Sequence, residues 1–354
     1  MQLALTPAGQ AARERHFGKH LRRAANRAPA SGGGGIVRQP FALNIMRHRL
    51  FFLMLALIHS SCSAADFAQP EEAGKVRWMR DLDAALEAGG KSGKPVFALF
   101  QEIPGCAGCR QFGCEVLSHP LIVAGIESEF APLLIHNNKP GKDAEVLKRF
   151  GEPAWNYQVV RFIDARGADL IPRKDRVWET GPLAERMIDA LQKAKRPVPA
   201  WLGLLASEHS PRLQQAALAM GCFWTGEMQL GQLDGVITTE AGFIGGREVT
   251  LVKYDPAVLS LPQLANAAGK VRCADVLYVP AGALAGTRAG GLKAEALTGY
   301  KPAPASDQKK QLPGTAAAKL NLGGAQATKV NAWIRTEPAK VLPFLTPEQR
   351  ARIR

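Results

Sequence analysis

Short apolar strands alternate with amphipathic helices along this chain, and this alternation constrains its fold more than any other feature. Residues 96–100, 131–135 and 159–163 are apolar runs of strand length, whereas residues 82–86 and 183–191 carry apolar side chains at helical spacing. Strands that alternate with helices are typical of layered sheets covered by helices. The sequence therefore predicts an α/β fold.

The length and composition predict two globular domains. The 354 residues are 46% hydrophobic, which is enough to form two cores. Prolines at 197 and 199 and the run 208–211 interrupt the pattern, so a connection is expected there. The predicted division is a first domain at 66–195, a linker at 196–211, a second domain at 212–284, and an Ala/Gly/Lys/Pro-rich tail with a short C-terminal helical segment at 285–354.

The formal net charge of +14 is concentrated near the N-terminus. Nine of the 45 Lys and Arg residues lie within residues 1–49, together with one of the 31 acidic residues. The rest of the chain has a mild positive excess and lacks a basic run interleaved with aromatic residues, which would follow a phosphate backbone. We therefore expect no nucleic-acid partner.

Residues 46–65 have the pattern of a secretory signal peptide. A basic start at Met46 precedes an apolar run at 50–58, which is too short to span a bilayer, and small residues precede Asp66. We expect cleavage there, with an uncleaved anchor or a lipidated Cys62 as alternatives. The mature protein would then be periplasmic or secreted with no stable membrane span, and residues 1–45 would be a non-native or disordered extension.

The first candidate site is the sequence Cys106-Ala107-Gly108-Cys109, which lies between a predicted strand and a predicted helix. Backbone N–H groups and the helix dipole favour a thiolate at a helix N-terminus, and the two-residue spacing lets the sulfurs close a reversible disulfide. We interpret the pair as redox-active. The alternatives are a static disulfide or a metal site formed by both cysteines with Cys114 and His119.

Residues 94–193 resemble a thioredoxin-like domain through this motif and its position after a buried strand. The resemblance implies that Cys106 is the attacking thiol and that Cys109 is its partner. Two positions differ from the pattern of that family: Gly105 replaces the usual Trp, and Gln158 stands where a cis-proline is expected.

The second candidate site is Cys222, at the junction of a predicted strand at 214–220 and a predicted helix. Reduction of methionine sulfoxide needs a sulfur nucleophile, an acid that protonates the departing oxygen, and an apolar wall for the methyl group. Cys222, Glu227 and the aromatic pair Phe223 and Trp224 can supply these parts. The alternative is a buried cysteine beside two core aromatic residues.

The sequence around Cys222 resembles the A-type peptide methionine sulfoxide reductases over about residues 214–268. The stretches that carry the resemblance are Gly221-Cys222-Phe223-Trp224 with Glu227, Leu233 to Val236, Thr239 to Gly246, and Val249 to Pro256. It implies an α+β sandwich, with Cys222 as nucleophile, Glu227 as acid, and Phe223 and Trp224 as the methyl-binding wall.

The family pattern is shortened in this chain. Phe243 takes the place of a tyrosine in the substrate-binding stretch, and Gly246 passes directly into the next strand. The nucleophile would form a sulfenic acid, and a second thiol must resolve it. Cys273 is the candidate in this half, with a small strand residue as the alternative interpretation.

The leading hypothesis is a peptide-methionine (S)-S-oxide reductase with a thioredoxin-like dithiol as its electron donor in the same chain. It would act on oxidised proteins or peptides and would use a thiol reductant, with no bound cofactor or metal. The second hypothesis is a general thiol-disulfide oxidoreductase whose C-terminal half only binds clients. A third is a binding protein in which both cysteine sites are structural.

Overall fold

The computed structural model describes residues 69–154, 158–271, 274–283 and 291–353. The predicted signal peptide at 46–65 and the extension before it lie outside the described residues, as do Cys62 and Cys273. The expectations for these parts of the chain stay predictions. Among the described residues, no helix is both long and apolar enough to cross a membrane.

The first half of the described chain forms a mixed sheet in the order β2-β1-β3-β4. Strand β1 pairs in parallel with β2 and antiparallel with β3, which pairs antiparallel with β4. Every residue of β1 and β3 is buried, as expected for central strands covered on both faces. The strands are β1 Val96–Gln101, β2 Ala131–His136, β3 Gln158–Ile163 and β4 Lys174–Asp175.

Helices cover this sheet, and local signals explain where they begin and end. The side chain of Asp81 caps the first helix by accepting the Ala84 N–H, and Gly93 ends it with a left-handed φ of 65°. The helices are α1 Leu82–Ser92, α2 Ala107–Gln111, continued by a π-helical turn at Phe112–Val116, α3 Pro120–Glu129, α4 Lys142–Phe150 and α5 Thr180–Lys193. The predicted α/β class is confirmed, and the dithiol motif follows β1 as expected of a thioredoxin-like domain.

The segment expected to be a linker at 196–211 contains a buried helix, α6 Ala200–Glu208. Trp201 and Leu205 are each 1% exposed and belong to the core of the first half, where they pack with α5. The prolines do end α5, but the apolar residues after them form a helix of their own. The expectation of a plain linker is therefore corrected.

The second half forms another mixed sheet, in the order β10-β6-β7-β5-β8-β9. Strands β6 and β7 are joined by Gly245 and Gly246, whose φ values of 58° and 81° suit a tight two-residue hairpin. Its strands are β5 Gln214–Ala219, β6 Val236–Ile244, β7 Arg247–Tyr254, β8 Val276–Val279, β9 Lys293–Ala296 and β10 Lys301–Pro302. Its helices are α7 Phe223–Gly231, α8 Leu261–Lys270, α9 Gly324–Trp333 and α10 Pro347–Arg352.

The tail at 285–354, expected to be partly loop, packs closely where it is described. Strands β9 and β10 extend the sheet, and α9 packs against α7 and β6. Small side chains permit this approach, because a Cβ on Gly231 would lie 3.1 Å from the Cβ of Ala332. Helix α9 is buried around most of its circumference, so it has no amphipathic pattern that the sequence could reveal.

Candidate functional site

Two sites on the described chain carry cysteine at the start of a helix. Cys106 is the N-cap residue of α2 and Cys222 is the N-cap residue of α7. Cys106, Cys109, Cys114 and Cys222 are all free thiols. The structure thus places both predicted nucleophiles at the predicted strand-to-helix junctions.

The Cys106–Cys109 pair consists of one exposed and one buried thiol, and their sulfurs lie 3.4 Å apart. The backbone N–H of Cys109, directed at the Cys106 sulfur, holds the pKa of Cys106 below its ordinary value. Burial raises the pKa of Cys109 to about 12. Cys106 is therefore the thiol that can ionise and attack, and Cys109 stays protonated behind it.

Gly105 and Glu72 set the conformation of the loop before Cys106. A Cβ at position 105 would lie 2.7 Å from the Cβ of Cys109, so only glycine fits there. The Gly105 N–H donates to Oε1 of Glu72 at 2.7 Å, and this carboxylate is buried. Close packing against the buried thiol thus accounts for glycine at position 105.

Cys106 opens onto a groove that Trp178 and Phe112 line from the side. These two rings meet edge to face, with centroids 5.9 Å apart. The side chain of Gln158, at the start of β3, holds the segment before Trp178 by bonding both the N–H and the carbonyl of Val177. Sequence reasoning missed Trp178, because nothing in the local pattern placed it beside the dithiol.

The metal alternative for this site finds no support in the described residues. His119 caps α3, where its Nδ1 accepts the N–H of Leu121 at 3.3 Å. No group of three or more His, Cys, Asp or Glu residues within the described ranges is arranged to hold a metal ion.

At the second site, Glu248 lies beside Cys222. Its Oε2 accepts the N–H of Phe223, the residue after the cysteine, at 2.9 Å. Its backbone carbonyl accepts the N–H of Met220, the residue that follows β5. Glu248 thus holds the turn that carries Cys222 from both ends, and its half-buried carboxylate is bonded to the residue that follows the cysteine.

The three predicted substrate-binding aromatic residues form one cluster. The Phe223 ring lies 5.9 Å from Trp224 and 5.5 Å from Phe243, measured between centroids. Ala241 of β6 and Ala303 from the tail are buried in the same cluster. The structure therefore brings Phe223, Trp224 and Phe243 together next to Cys222.

Glu227, predicted to be the acid, is fully buried in an ion pair with Lys309. Its Oε1 accepts from the Lys309 Nζ at 2.5 Å, and its Oε2 accepts from the Lys309 backbone N–H at 2.7 Å. The same ammonium donates to the carbonyl of Thr239 on β6. An acid that protonates the substrate was expected here, but both oxygens of the Glu227 carboxylate accept hydrogen bonds from Lys309 of the tail. Glu248, and not Glu227, is the carboxylate bonded beside Cys222.

Neither Glu248 nor Lys309 was predicted from the sequence. Glu248 reaches the site because β5 and β7 pair with Ala219 opposite Val249, a register that only the folded sheet defines. Lys309 is 82 residues from Glu227 along the chain. The charged pair Arg247-Glu248 at the start of β7 was the available signal for Glu248, and none existed for Lys309.

The second half of the chain is similar to known reductases over part of its length. A protein-family model described as peptide methionine sulfoxide reductase matches residues 214–258. The peptide methionine sulfoxide reductase MsrA of Salmonella arizonae is 36% identical over 98 residues, which cover 22% of this chain and 46% of that protein. MsrA of Vibrio parahaemolyticus is 40% identical over 68 residues, covering 14% and 32%.

Among solved structures, a chain described as DsbH oxidoreductase covers 38% of this chain and 94% of its own length, at 19% identity and a TM-score of 0.29. The chain spans less than half the length of the curated relatives named here. Cys222, the rings of Phe223, Trp224 and Phe243, and Glu248 all lie inside the stretch that the family model matches, whereas the tail residues of the second site lie outside it.

Proposed function

We propose that this protein is a peptide-methionine (S)-S-oxide reductase that uses Cys222 as its nucleophile. The observation that carries the proposal is the arrangement at the start of α7. Cys222 lies there with the carboxylate of Glu248 bonded to the next N–H and an aromatic cluster beside it. The three chemical requirements of sulfoxide reduction are met by neighbouring side chains, and the similarity to methionine sulfoxide reductases covers the same residues.

In the proposed reaction, the Cys222 sulfur attacks the sulfoxide sulfur and the sulfur–oxygen bond breaks. A proton from Glu248 goes to the sulfoxide oxygen, the resulting hydroxyl group is transferred to the Cys222 sulfur as the transient bond between the two sulfurs breaks, and the products are the methionine thioether and a sulfenic acid on Cys222. A second thiol then condenses with the sulfenic acid, which releases water and leaves a disulfide. Cys273 remains the candidate for this step.

The Cys106–Cys109 dithiol is proposed as the electron donor within the chain. Attack by Cys106 on the disulfide formed at Cys222 would pass two electrons to it and leave a Cys106–Cys109 disulfide. The lowered pKa of Cys106 supports attack at neutral pH, and a covalent tether raises the effective concentration of donor and acceptor. An external thiol reductant would recharge the pair.

The remaining predictions belong to the same proposal. The substrates would be oxidised proteins or peptides, and the enzyme would be exported to the periplasm or secreted after removal of residues 46–65. The proposed reductase chemistry would use thiols and carboxyl groups of the chain and an external thiol reductant.

The proposal is tested by turnover with dithiothreitol on a peptide that carries the S-epimer of methionine sulfoxide. The protein from Asp66 onward is compared with Cys222→Ser and with Cys114→Ser as the matched control. We expect turnover in the parent and in the control and none in Cys222→Ser. Equal turnover in all three proteins, or none in any, contradicts the proposal.

A second function is favoured by the dithiol itself. One exposed thiol with a lowered pKa, 3.4 Å from a buried partner, is the arrangement of a thiol-disulfide oxidoreductase. Under this alternative the protein reduces an insulin or model-peptide disulfide, Cys106→Ser abolishes that reaction, and Cys222→Ser leaves it unchanged. The absence of sulfoxide turnover together with this result would favour the second function.

A further inference from the structure

A lysine from the C-terminal tail lies directly over the aromatic cluster beside Cys222. The Lys310 Nζ is 4.8 Å from the centroid of the Trp224 ring, which is close enough for a cation–π interaction. Trp224 is separated from Cys222 by a single residue. A substrate side chain that contacts this wall would therefore have a positive charge at its edge.

The backbone around Lys310 is held firmly in this place. The side chain of Gln308 bonds both the N–H and the carbonyl of Ala241 on β6, and Ala303 is buried within the aromatic cluster. Lys309 is fastened to Glu227 as described above. The position of Lys310 is thus set by the two residues before it, and it does not depend on a free loop.

The two neighbouring lysines of the tail differ in how far they are exposed. Lys309 forms an ion pair with the fully buried Glu227, whereas Lys310 forms an ion pair with Asp307 at 3.4 Å in which the lysine side chain is still 38% exposed. Lys301 adds a second exposed ammonium at the same edge, because it pairs with Phe243 in the sheet. The carboxyl group of Glu248 accepts the Phe223 N–H.

We propose that Lys310 is a specificity-determining residue that selects methionine sulfoxide flanked by acidic side chains. The inference rests on the proposed function and names its substrate class. A carboxylate on the residue beside the sulfoxide would lie within several ångströms of the ammonium in a partly screened environment, which is worth about a three- to five-fold change in kcat/KM. The aromatic wall then recognises the methyl group, and Lys310 recognises the neighbouring charge.

The test uses three peptides that differ only in the residues flanking the S-sulfoxide, which are Asp, Ala or Lys. For the parent protein we expect kcat/KM to fall in the order Asp, Ala, Lys, with the spread shrinking as salt rises from 20 to 500 mM (roughly a fivefold shorter Debye length). Lys310→Gln should remove most of the preference, Lys310→Glu should reverse it, and Lys310→Arg should retain it. Lys319→Gln removes an equally charged, exposed tail residue that is not among the residues bonded at the aromatic cluster, and it should leave the preference intact.

Equal kcat/KM values for the three peptides with the parent protein overturn the inference and leave the proposed function standing. The inference is also overturned if Lys310→Gln and Lys319→Gln alter the preference equally, because the effect would then come from overall charge. The absence of turnover on every peptide rejects the proposed function itself. Circular dichroism of each variant shows whether the fold is retained. If Lys310→Gln does not fold, Lys310→Glu supplies the test, because an unchanged preference in that variant also overturns the inference.

Discussion

Lys309 and Glu227 form a buried ion pair, with 2.5 Å between the Lys309 Nζ and the Glu227 Oε1, that fastens the C-terminal tail to the helix carrying Cys222. The Glu227 side chain is fully buried and that of Lys309 is 15% exposed. The tail is consequently part of the second site. It contributes Ala303 to the aromatic cluster and Lys310 above Trp224.

Breaking this pair from one side should destabilise the protein strongly. Lys309→Met leaves the Glu227 carboxylate buried without its partner, and such a change costs about 3–5 kcal/mol in the free energy of unfolding. The double variant Lys309→Met with Glu227→Leu removes both charges and should recover much of this loss. Urea unfolding of the parent, of Lys309→Met, of Glu227→Leu and of the double variant measures the coupling free energy between the two side chains. If Lys309→Met lowers the free energy of unfolding no more than Lys319→Met does, the ion pair does not stabilise the fold as described.

The carboxylate beside Cys222 should control the rate of reduction. Glu248→Gln retains an oxygen that can accept the Phe223 N–H but cannot donate a proton in the same way, so we expect kcat to fall by about 10²-fold with little change in the melting temperature. Glu227→Gln should show the opposite pattern, with stability reduced more than kcat. Steady-state kinetics and thermal unfolding of both variants separate the two roles, and a larger kcat loss in Glu227→Gln would restore Glu227 as the acid.

The two thiols of the dithiol should react with iodoacetamide in different pH ranges. The pKa of Cys106 is lowered and that of Cys109 is raised to about 12. An ordinary cysteine has a pKa of about 8.5, so the alkylation of Cys106 should have its midpoint at a lower pH than this value. Cys109 should remain unmodified at neutral pH. Mass spectrometry of peptides alkylated between pH 5 and 10 measures this. Equal labelling of both thiols at pH 7 would disagree with the geometry at α2.

Lys329 should make the protein more stable at alkaline pH than near neutrality. Its ammonium donates to the carbonyls of Gly231 and Leu233 at the end of α7, and burial lowers its pKa to about 8. Between that value and the ordinary lysine pKa near 10.5, the unfolded chain binds a proton that the folded chain does not, so stability rises with pH.

The pH dependence is measured by comparing the parent with Lys329→Met. The difference in unfolding free energy between the two should move in favour of the parent by up to about 3 kcal/mol from pH 7.5 to 10.5. A difference that stays constant over this range, or that shifts in favour of the variant, would show that the buried amine keeps an ordinary pKa.

Much of this architecture could be predicted locally. The strand after Lys94 and the helix after Asp81 follow from apolar spacing and capping, and both cysteines lie at the predicted helix starts. The charged residues around Cys222 are brought together by contacts between distant parts of the chain. Glu248 depends on the β5–β7 register, and Lys309 reaches Glu227 across 82 residues. A short helical segment was expected in the tail, but the burial of helix α9 could not be predicted, because its small and polar side chains are buried on most sides and leave no amphipathic pattern.

The account is tested most directly by the yield of methionine from fully reduced protein in the absence of external reductant. If Cys222 performs the reduction and the Cys106–Cys109 dithiol recharges it once, each chain should produce about two methionines from the S-sulfoxide peptide. The yield should fall to about one when Cys106 and Cys109 are both changed to Ser, and to none in Cys222→Ser. A yield unaffected by Cys222→Ser would contradict the central claim, as would no methionine from the parent protein.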